Sequence, residues 1–428
     1  MRYIIDTLGC KVNQYETQAM ETLLAERGHE RAAAGERADA VIVNSCAVTA
    51  ESGRKSRQAL RRLAELHPGA VRAVCGCWSQ VEPARARELG ADIVWGSGDR
   101  HGFIDALERA VAGGGRQEGV DKPFTRRSIE RLPAGAFEGH ARAYLKIEDG
   151  CENFCTYCVI PYARGRVRSL PLSEAAAEAA SLAGRGYREL VLTGIEIASY
   201  GSDLPGSPAL ADVVEAVSAA APELRLRLGS LEPTAVTEEF CSRLAALGTV
   251  CDHFHLSLQS GSDGTLARMH RKYDTAQFLA VAERLRRHFP HCALTGDLIA
   301  GFPGETEAEH AETLAFIEKV SFAALHVFPY SRRPGTPADR LPGQLTAAEK
   351  SRRAHEAHEA AMKTRMAYLS SCVGRTLEVL FETEADGVST GHATNYMEVS
   401  VPGTGLRGLV RNVKISSVAG EMLVGDAV

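Results

Sequence analysis

Between Ala141 and Leu369 six short apolar runs alternate with amphipathic helical runs, and that order restricts the fold more than any other feature. The runs are Tyr144–Ile147, Leu190–Thr193, Leu224–Leu228, His253–Leu258, Leu294–Ile299 and Ala324–Phe328. Parallel strands cannot be joined by tight turns. A helix must carry the chain back, so βα units in series build a parallel sheet covered by its own helices. Six units predict a partly closed parallel barrel over residues 141–370. Past Pro342 a charged helical stretch, TAAEKSRRAHEAHEAAMKTRMAYLSS, closes this domain.

The remaining chain divides around that barrel. Residues 1–112 read as an open parallel α/β sheet, with strands such as Arg2–Thr7, Ala40–Asn44 and Val71–Cys75. Helical runs lie between them, among them VNQYETQAMETLLAERG, which Gly28 stops. Residues 113–140 are Gly-rich and then basic, the composition of a linker. Residues 371–428 carry short β-rich runs with turn glycines, which fits a small β-barrel. No apolar run approaches transmembrane length. The N-terminus lacks the basic region and apolar core of a signal peptide, so the expected location is the cytoplasm. The net charge of −5 leaves no global basic footprint, and a nucleic-acid partner must be held by local patches.

Eleven cysteines in such a chain point to metal or redox chemistry rather than disulfides. Cys151, Cys155 and Cys158 stand as C-x3-C-x2-C, with no fourth Cys or His nearby at zinc spacing. Three thiolates leave one iron of a four-iron cube without a protein ligand, and an open iron is a reactive site. Cys10, Cys46 and Cys77 form a second set. Each lies within a few residues of a strand's end and is followed by a helical run. The carboxyl ends of parallel strands share one crest, where ligands bind, so these three thiolates are expected to converge there. Cys75 competes with Cys77. Cys77 is favoured because it lies beyond the strand, after Gly76, as Cys10 follows Gly9. Taken singly, a free cysteine is often a small buried apolar residue.

With both sets in view, the chain resembles the methylthiotransferases of the radical S-adenosylmethionine superfamily over nearly its whole length. LGCKVNQYET, NSCAVT and GCWSQ match that family's N-terminal ligand motifs, and DGCENFCTYCVIPYARG matches the radical motif. LTGIEI, SLEP, LSLQSGS, DLIAGFPGETE and FPYSRRPGTPA match its barrel motifs. The C-terminal segment resembles the RNA-binding barrel called TRAM, although four cations there face seven acids. Two branches of the family modify the tRNA adenosine 3′ of the anticodon, and one modifies an aspartate of a ribosomal protein. Lys-Val-Asn after Cys10 is most similar to the branch acting on N6-threonylcarbamoyladenosine.

The resemblance implies two 4Fe–4S clusters, S-adenosylmethionine, a tRNA anticodon stem-loop, an electron donor and a sulfur source. It implies that one S-adenosylmethionine methylates sulfur carried by the second cluster and that another, cleaved at the first, yields the radical that breaks the C2–H bond. Tyr157, Thr193, Gly194, Gln259 and Ser260 at the barrel mouth are expected to position S-adenosylmethionine. Arg164, Arg166 and Arg168 alternate after the radical motif. In an extended segment they would share one side and grip phosphates. Arg54, Lys55, Arg57, Arg61 and Arg62 form a second basic run. Tyr162 or Phe328 would stack the splayed base. The threonylcarbamoyl carboxylate would be met by Arg126, Arg127, Arg131, Arg332 or Arg333. The competing readings are the isopentenyl and aspartate branches, a non-catalytic iron–sulfur RNA-binding protein, and a cobalamin-dependent radical enzyme. The last would need a His ligand after the first strand, and Lys11–Gln14 offers none.

Overall fold

A computed structural model describes residues 1–33, 35–134 and 141–428. The N-terminal sheet is fully parallel. Its strands are β1 (Arg2–Thr7), β2 (Glu30–Arg31), β3 (Ala40–Ser45), β4 (Val71–Gly76), β5 (Ile93–Trp95) and β6 (Gln117–Gly119), in the order β2-β1-β3-β4-β5-β6. Each residue of β3 is buried, as expected of a strand covered on both faces. The segment read as a linker is docked instead. Its Gln117–Gly119 pairs in parallel with β5. Ile129 and Leu132 are buried, and the Leu132 carbonyl accepts from the Tyr15 hydroxyl at 2.9 Å. Glycines and arginines gave that segment a linker's composition, but a three-residue edge strand needs little apolar content. Part of the linker, residues 135–140, lies outside the described residues.

The central barrel holds β7 (Arg142–Lys146), β10 (Glu189–Thr193), β11 (Arg225–Leu228), β12 (His253–Gln259), β13 (Ala293–Ala300) and β14 (Ala324–Pro329). The short strands β8 (Glu148–Asp149) and β9 (Arg168–Ser169) form an antiparallel pair beside it. Two three-stranded parallel sheets, β11-β10-β7 and β12-β13-β14, are joined by single bridges, Leu226 to Val250 and Leu231 to Leu256. No pairing joins β14 to β7 among the described residues, so the barrel is open along that seam. One side-chain set, including Leu145, Leu192, Leu226, Leu256, Leu294 and Leu325, packs with the surrounding helices in one core. The alternate set, including Arg142, Glu189, Arg227, His255, Asp297 and His326, lines a polar interior.

The helix Ala347–Cys372 crosses this domain and starts in a capping box of Thr346 and Glu349. A closed five-stranded barrel follows: β15 (Thr376–Ala385), β16 (Val388–Ala393), β17 (Glu398–Pro402), β18 (Val410–Ala419) and β19 (Met422–Ala427). It plugs the amino ends of the central strands. Arg225 donates to the His392 carbonyl at 2.7 Å and Arg227 to the Thr394 carbonyl at 2.8 Å, while Arg142 pairs with Glu382 at 3.3 Å. Some of the acid counted in this segment is therefore engaged in docking. No helix among the described residues is long and apolar enough to cross a membrane.

Candidate active site

The crest of the N-terminal sheet carries the second cysteine set. Two glycines make the approach possible. A Cβ on Gly9 (φ +106°) would lie 2.8 Å from the Cys46 sulfur, and one on Gly76 (φ +101°) 2.5 Å from the Ser45 carbonyl oxygen. Only glycine adopts this backbone without strain. Cys77 then opens the helix Cys77–Val81, and its thiol is pushed up to about 12 by burial, with Cys46 and Cys10 close enough to add to the rise. Cys75 sits on the other face of β4. It packs with Tyr15, Met20 and Ile42, and its sulfur lies 3.9 Å from Asn44 Oδ1. Geometry thus groups Cys10, Cys46 and Cys77 and turns Cys75 into the core.

Cys151, Cys155 and Cys158 occupy the loop after β8, at the barrel mouth. Backbone N–H groups of Asn153 and Ile160 point at the sulfurs of Cys151 and Cys158, at 3.5 and 3.4 Å. Burial pushes the Cys158 thiol up to about 12. No three His, Cys, Asp or Glu side chains among the described residues converge tightly enough for a single metal ion.

The three arginines after this loop are not a row on one side. Arg164 ends the short helix Ile160–Arg164, and its guanidinium is 0% exposed. Its Nε donates to the Cys77 sulfur at 3.1 Å, and its Nη2 reaches Asn13 Oδ1 at 3.1 Å and Glu16 Oε2 at 3.1 Å. Arg168 is also buried. It pairs with Asp149 at 3.3 Å and donates to the Arg164 carbonyl at 3.0 Å. Arg166 alone is exposed. Neither Arg164 nor Arg168 is therefore available to a phosphate. Alternation suggested an exposed face, but a helix end and an antiparallel turn aim the two guanidiniums at buried carboxylates.

Glu16 is the hub of this contact. It accepts from Arg164, from Arg100 at 2.8 Å and from Lys146 at 3.0 Å. Burial pushes its carboxyl up, but the three cations together hold it well below the usual range. Arg100 and Glu16 come from the N-terminal domain; Lys146, Asp149, Arg164 and Arg168 come from the barrel. The two cysteine sets are thus locked in one frame.

The other expected residues divide. The Tyr157 ring stands edge-on to Phe302, with its hydroxyl 3.5 Å from Arg271. Arg271 also donates to the Cys155 sulfur at 3.1 Å and pairs with Glu232 at 2.5 Å. The Thr193 carbonyl is taken by the Ile147 N–H at 2.9 Å, which leaves Gly194 and Ile195 as half-exposed backbone beyond the strand. Gln259 holds φ +64° where the register with β13 shifts. Such conformations cluster at ligand sites. Ser260 is buried, and its hydroxyl accepts from the Ser262 N–H at 3.3 Å, so the structure does not present it to a ribose. Its small size and place after a strand end could not reveal that turn. Sequence reading missed Glu196, which lies beside Cys151 and accepts from Asn153 at 3.3 Å. Burial and the charge of Glu232 raise its carboxyl to about 7. A carboxylate two residues past a strand-end glycine was the available signal.

Residues 145–317 match the model of the radical SAM superfamily, and residues 2–96 that of an uncharacterized protein family, UPF0004. The chain is 39% identical to the threonylcarbamoyladenosine tRNA methylthiotransferase MtaB of Bacillus subtilis, over 96% of this chain and 92% of that one. It is 36% identical to its namesake in Thermotoga maritima, over 98% and 95%. The chain belongs to the radical S-adenosylmethionine tRNA methylthiotransferase family. A tRNA-2-methylthio-N(6)-dimethylallyladenosine synthase of Moorella thermoacetica is 34% identical over 99% of this chain and 98% of its own. In fold, the chain is similar to the radical S-adenosylmethionine methyltransferase TsrM of Kitasatospora setae, at TM-score 0.58 and 17% identity, covering 91% of this chain and 80% of that one.

A methylthiotransferase of this family uses S-adenosylmethionine and a 4Fe–4S cluster. The charge around the cysteines fits such groups. Arg164 and Arg271 each donate to a cysteine sulfur. Arg333 is 5% exposed with its Nε unpartnered, and the charges acting on it include both Cys46 and Cys158. Buried guanidiniums are costly unless an anion meets them. Thiolate-ligated iron–sulfur groups carry that negative charge.

Proposed function

We propose that this chain transfers a methylthio group to C2 of N6-threonylcarbamoyladenosine next to the anticodon of tRNA. One observation carries the reading: two cysteine triads, one at the barrel mouth and one on the neighbouring crest, share a frame locked by Arg164. Cys151, Cys155 and Cys158 hold the cluster that works with S-adenosylmethionine. Cys10, Cys46 and Cys77 hold a second 4Fe–4S cluster. When bound, these groups supply a carbon radical able to break an unactivated C–H bond, together with the sulfur and methyl of the new substituent. The threonylcarbamoyl branch is supported by the names of the relatives at 39% and 36% identity. An electron donor and a sulfur source are required, since reductive cleavage of S-adenosylmethionine needs an electron to begin and each transfer consumes a sulfur atom. Cytoplasmic tRNA is the expected partner.

The chain's own residues bind and orient. Arg271 fixes the Cys155 sulfur and the Tyr157 hydroxyl. Gly194 lets backbone come close at the mouth, and Glu196 offers a carboxylate to the ammonium of S-adenosylmethionine. Arg166 is left to meet a phosphate, and Arg54 and Arg62 of the other basic run already pair with Glu51 and Asp6. Exposed Tyr162, 46% accessible, stands edge-on to Phe154, and Phe328 is 45% accessible at the barrel seam. Both offer a stacking face to a splayed base.

Two measurements test these roles. Glu196 ionises as pH rises through about 7, and an ammonium favours the ionised form. Equilibrium binding of S-adenosylmethionine should therefore strengthen from pH 6 to pH 8. Glu196→Gln should flatten that profile and weaken binding at pH 8 by about tenfold. A profile unchanged in the variant removes Glu196 from the site. For the reaction itself, reconstituted enzyme is offered tRNA carrying either the threonylcarbamoyl or the isopentenyl group. Product from the first and little from the second is expected. The reverse assigns the isopentenyl branch.

A further inference from the structure

The polar interior of the barrel has a cation that neither the fold nor the clusters require. Lys11 follows Cys10, and its side chain reaches the charged groups of the central strands, Arg142, Glu189, Arg227 and Asp297. Its ammonium lies 5.7 Å from the centre of the Tyr396 ring, which the C-terminal barrel inserts from below. Arg227 and Arg142 stand over the same ring, at 4.7 and 5.4 Å. Those two arginines share Glu189 with Arg225: Arg142 pairs with it at 2.6 Å, Arg227 at 2.9 Å and Arg225 at 2.6 Å, and Arg142 also meets Glu382 at 3.3 Å. Lys11 has no ion pair or hydrogen bond among the described residues. Its nearest charges are Arg227, Arg142, Glu189 and Asp297, and Asp297 is already engaged by His255 at 3.2 Å. Both carboxylates near Lys11 are thus engaged by other side chains, and its ammonium has no acidic partner of its own among the described residues.

The wall between Lys11 and the mouth is polar too. His255 donates to or accepts from Thr295 at 3.0 Å, and the His255 and His326 rings stand 6.0 Å apart. His326 is exposed and Asp297 half-buried, so this face of the seam is open to solvent. An isopentenyl group would gain nothing from such a wall. A urea, a hydroxyl and a carboxylate would each find partners.

In adenine, C2 and the C6 that bears N6 both flank N1 on one edge of the ring. With C2 directed at the cysteines of the mouth and crest, the N6 substituent extends along that same edge, within reach of a side chain that follows Cys10. Building on the substrate proposed above, we infer that the barrel interior receives the N6 substituent and that Lys11 binds its carboxylate, as the residue that selects a threonylcarbamoyl group over a neutral one. Of the five candidates drawn from the sequence, Arg127 is exposed on the segment between the domains and the other four are otherwise engaged. Arg126 pairs with Asp121 at 2.5 Å, Arg131 with Glu174 at 2.6 Å and Arg332 with Asp339 at 2.5 Å, while Arg333 faces the cysteines.

The test uses the reconstituted holoenzyme and equilibrium binding of three anticodon stem-loops. One carries N6-threonylcarbamoyladenosine, one its methyl ester, one unmodified adenosine. Wild-type protein should prefer the acid over the ester by about tenfold, the worth of one charge-assisted hydrogen bond. Lys11→Met should bring that ratio near one while holding the ester and unmodified loops as before, with unchanged iron content. Lys11→Arg should restore the preference. A ratio that survives in Lys11→Met overturns the inference and leaves the substrate reading standing. So does an equal loss for all three loops, or a loss of iron, because Lys11 would then act on the fold or the cluster. A wild-type protein with no preference between the loops that methylthiolates the isopentenyl tRNA would sink the substrate reading itself.

Discussion

Cys46→Ala and Cys155→Ala should both abolish methylthio transfer, but by separable routes. Anaerobically reconstituted wild-type protein is expected to hold about eight irons per chain, four for each cube. Each variant should hold about four. Cys155→Ala should also lose reductive cleavage of S-adenosylmethionine, read as 5′-deoxyadenosine. Cys46→Ala should keep it, because that thiol belongs to the crest and not to the mouth. Cys75→Ala should retain about eight irons and near-normal transfer, since its sulfur faces Asn44 and the core around Met20. Iron content that stays at about eight in Cys46→Ala would remove the second site. Loss of iron in Cys75→Ala but not in Cys77→Ala would exchange the two neighbours.

What the sequence disclosed followed from local rules. The strands Arg2–Thr7, Ala40–Asn44 and His253–Leu258 appear within a residue or two of their expected ends, because apolar β-branched runs between helical periods have few alternatives. The closed barrel after residue 375 was equally legible from turn glycines. The edge strand Gln117–Gly119 was not, because its pairing is supplied by β5 and not by its own residues. At the site, spacing revealed the thiol of Cys155, but not the Arg271 that touches it from 116 residues away. Arg164 was noticed for the wrong reason. Its position after the radical motif marked it as important, yet its partners Asn13, Glu16 and Cys77 belong to another domain. A charge count cannot tell a phosphate ligand from the centre of a buried ion network.

That network leads to the largest stability effect expected of a single substitution. Glu16 meets Arg100, Lys146 and Arg164, and all four side chains are almost fully buried. Asp149 is the other buried carboxylate, shared by Lys146 at 3.2 Å, Arg164 at 3.4 Å and Arg168 at 3.3 Å. Four cations thus depend on two acids within the protein, and the sulfur of Cys77 takes part of the surplus. Glu16→Gln leaves Lys146, Arg164 and Arg168 with Asp149 alone and removes the ion-pair partner of Arg100, and breaking a buried pair of this kind costs about 3–5 kcal/mol. Arg131→Gln, which opens the exposed pair with Glu174, should change stability by under about 1 kcal/mol. Glu16 has a depressed carboxyl in the folded protein, so its contribution is complete above about pH 4.5, its ordinary value, and is lost as pH falls through the folded value. The stability gap between wild type and Glu16→Gln in urea unfolding should therefore hold at neutral pH and close only in strong acid. Because Glu16 and Arg164 come from different domains, the variant should also split a joint transition, with the N-terminal domain released first. A single transition at the wild-type midpoint would mean that the apolar contacts between the domains suffice without the ions.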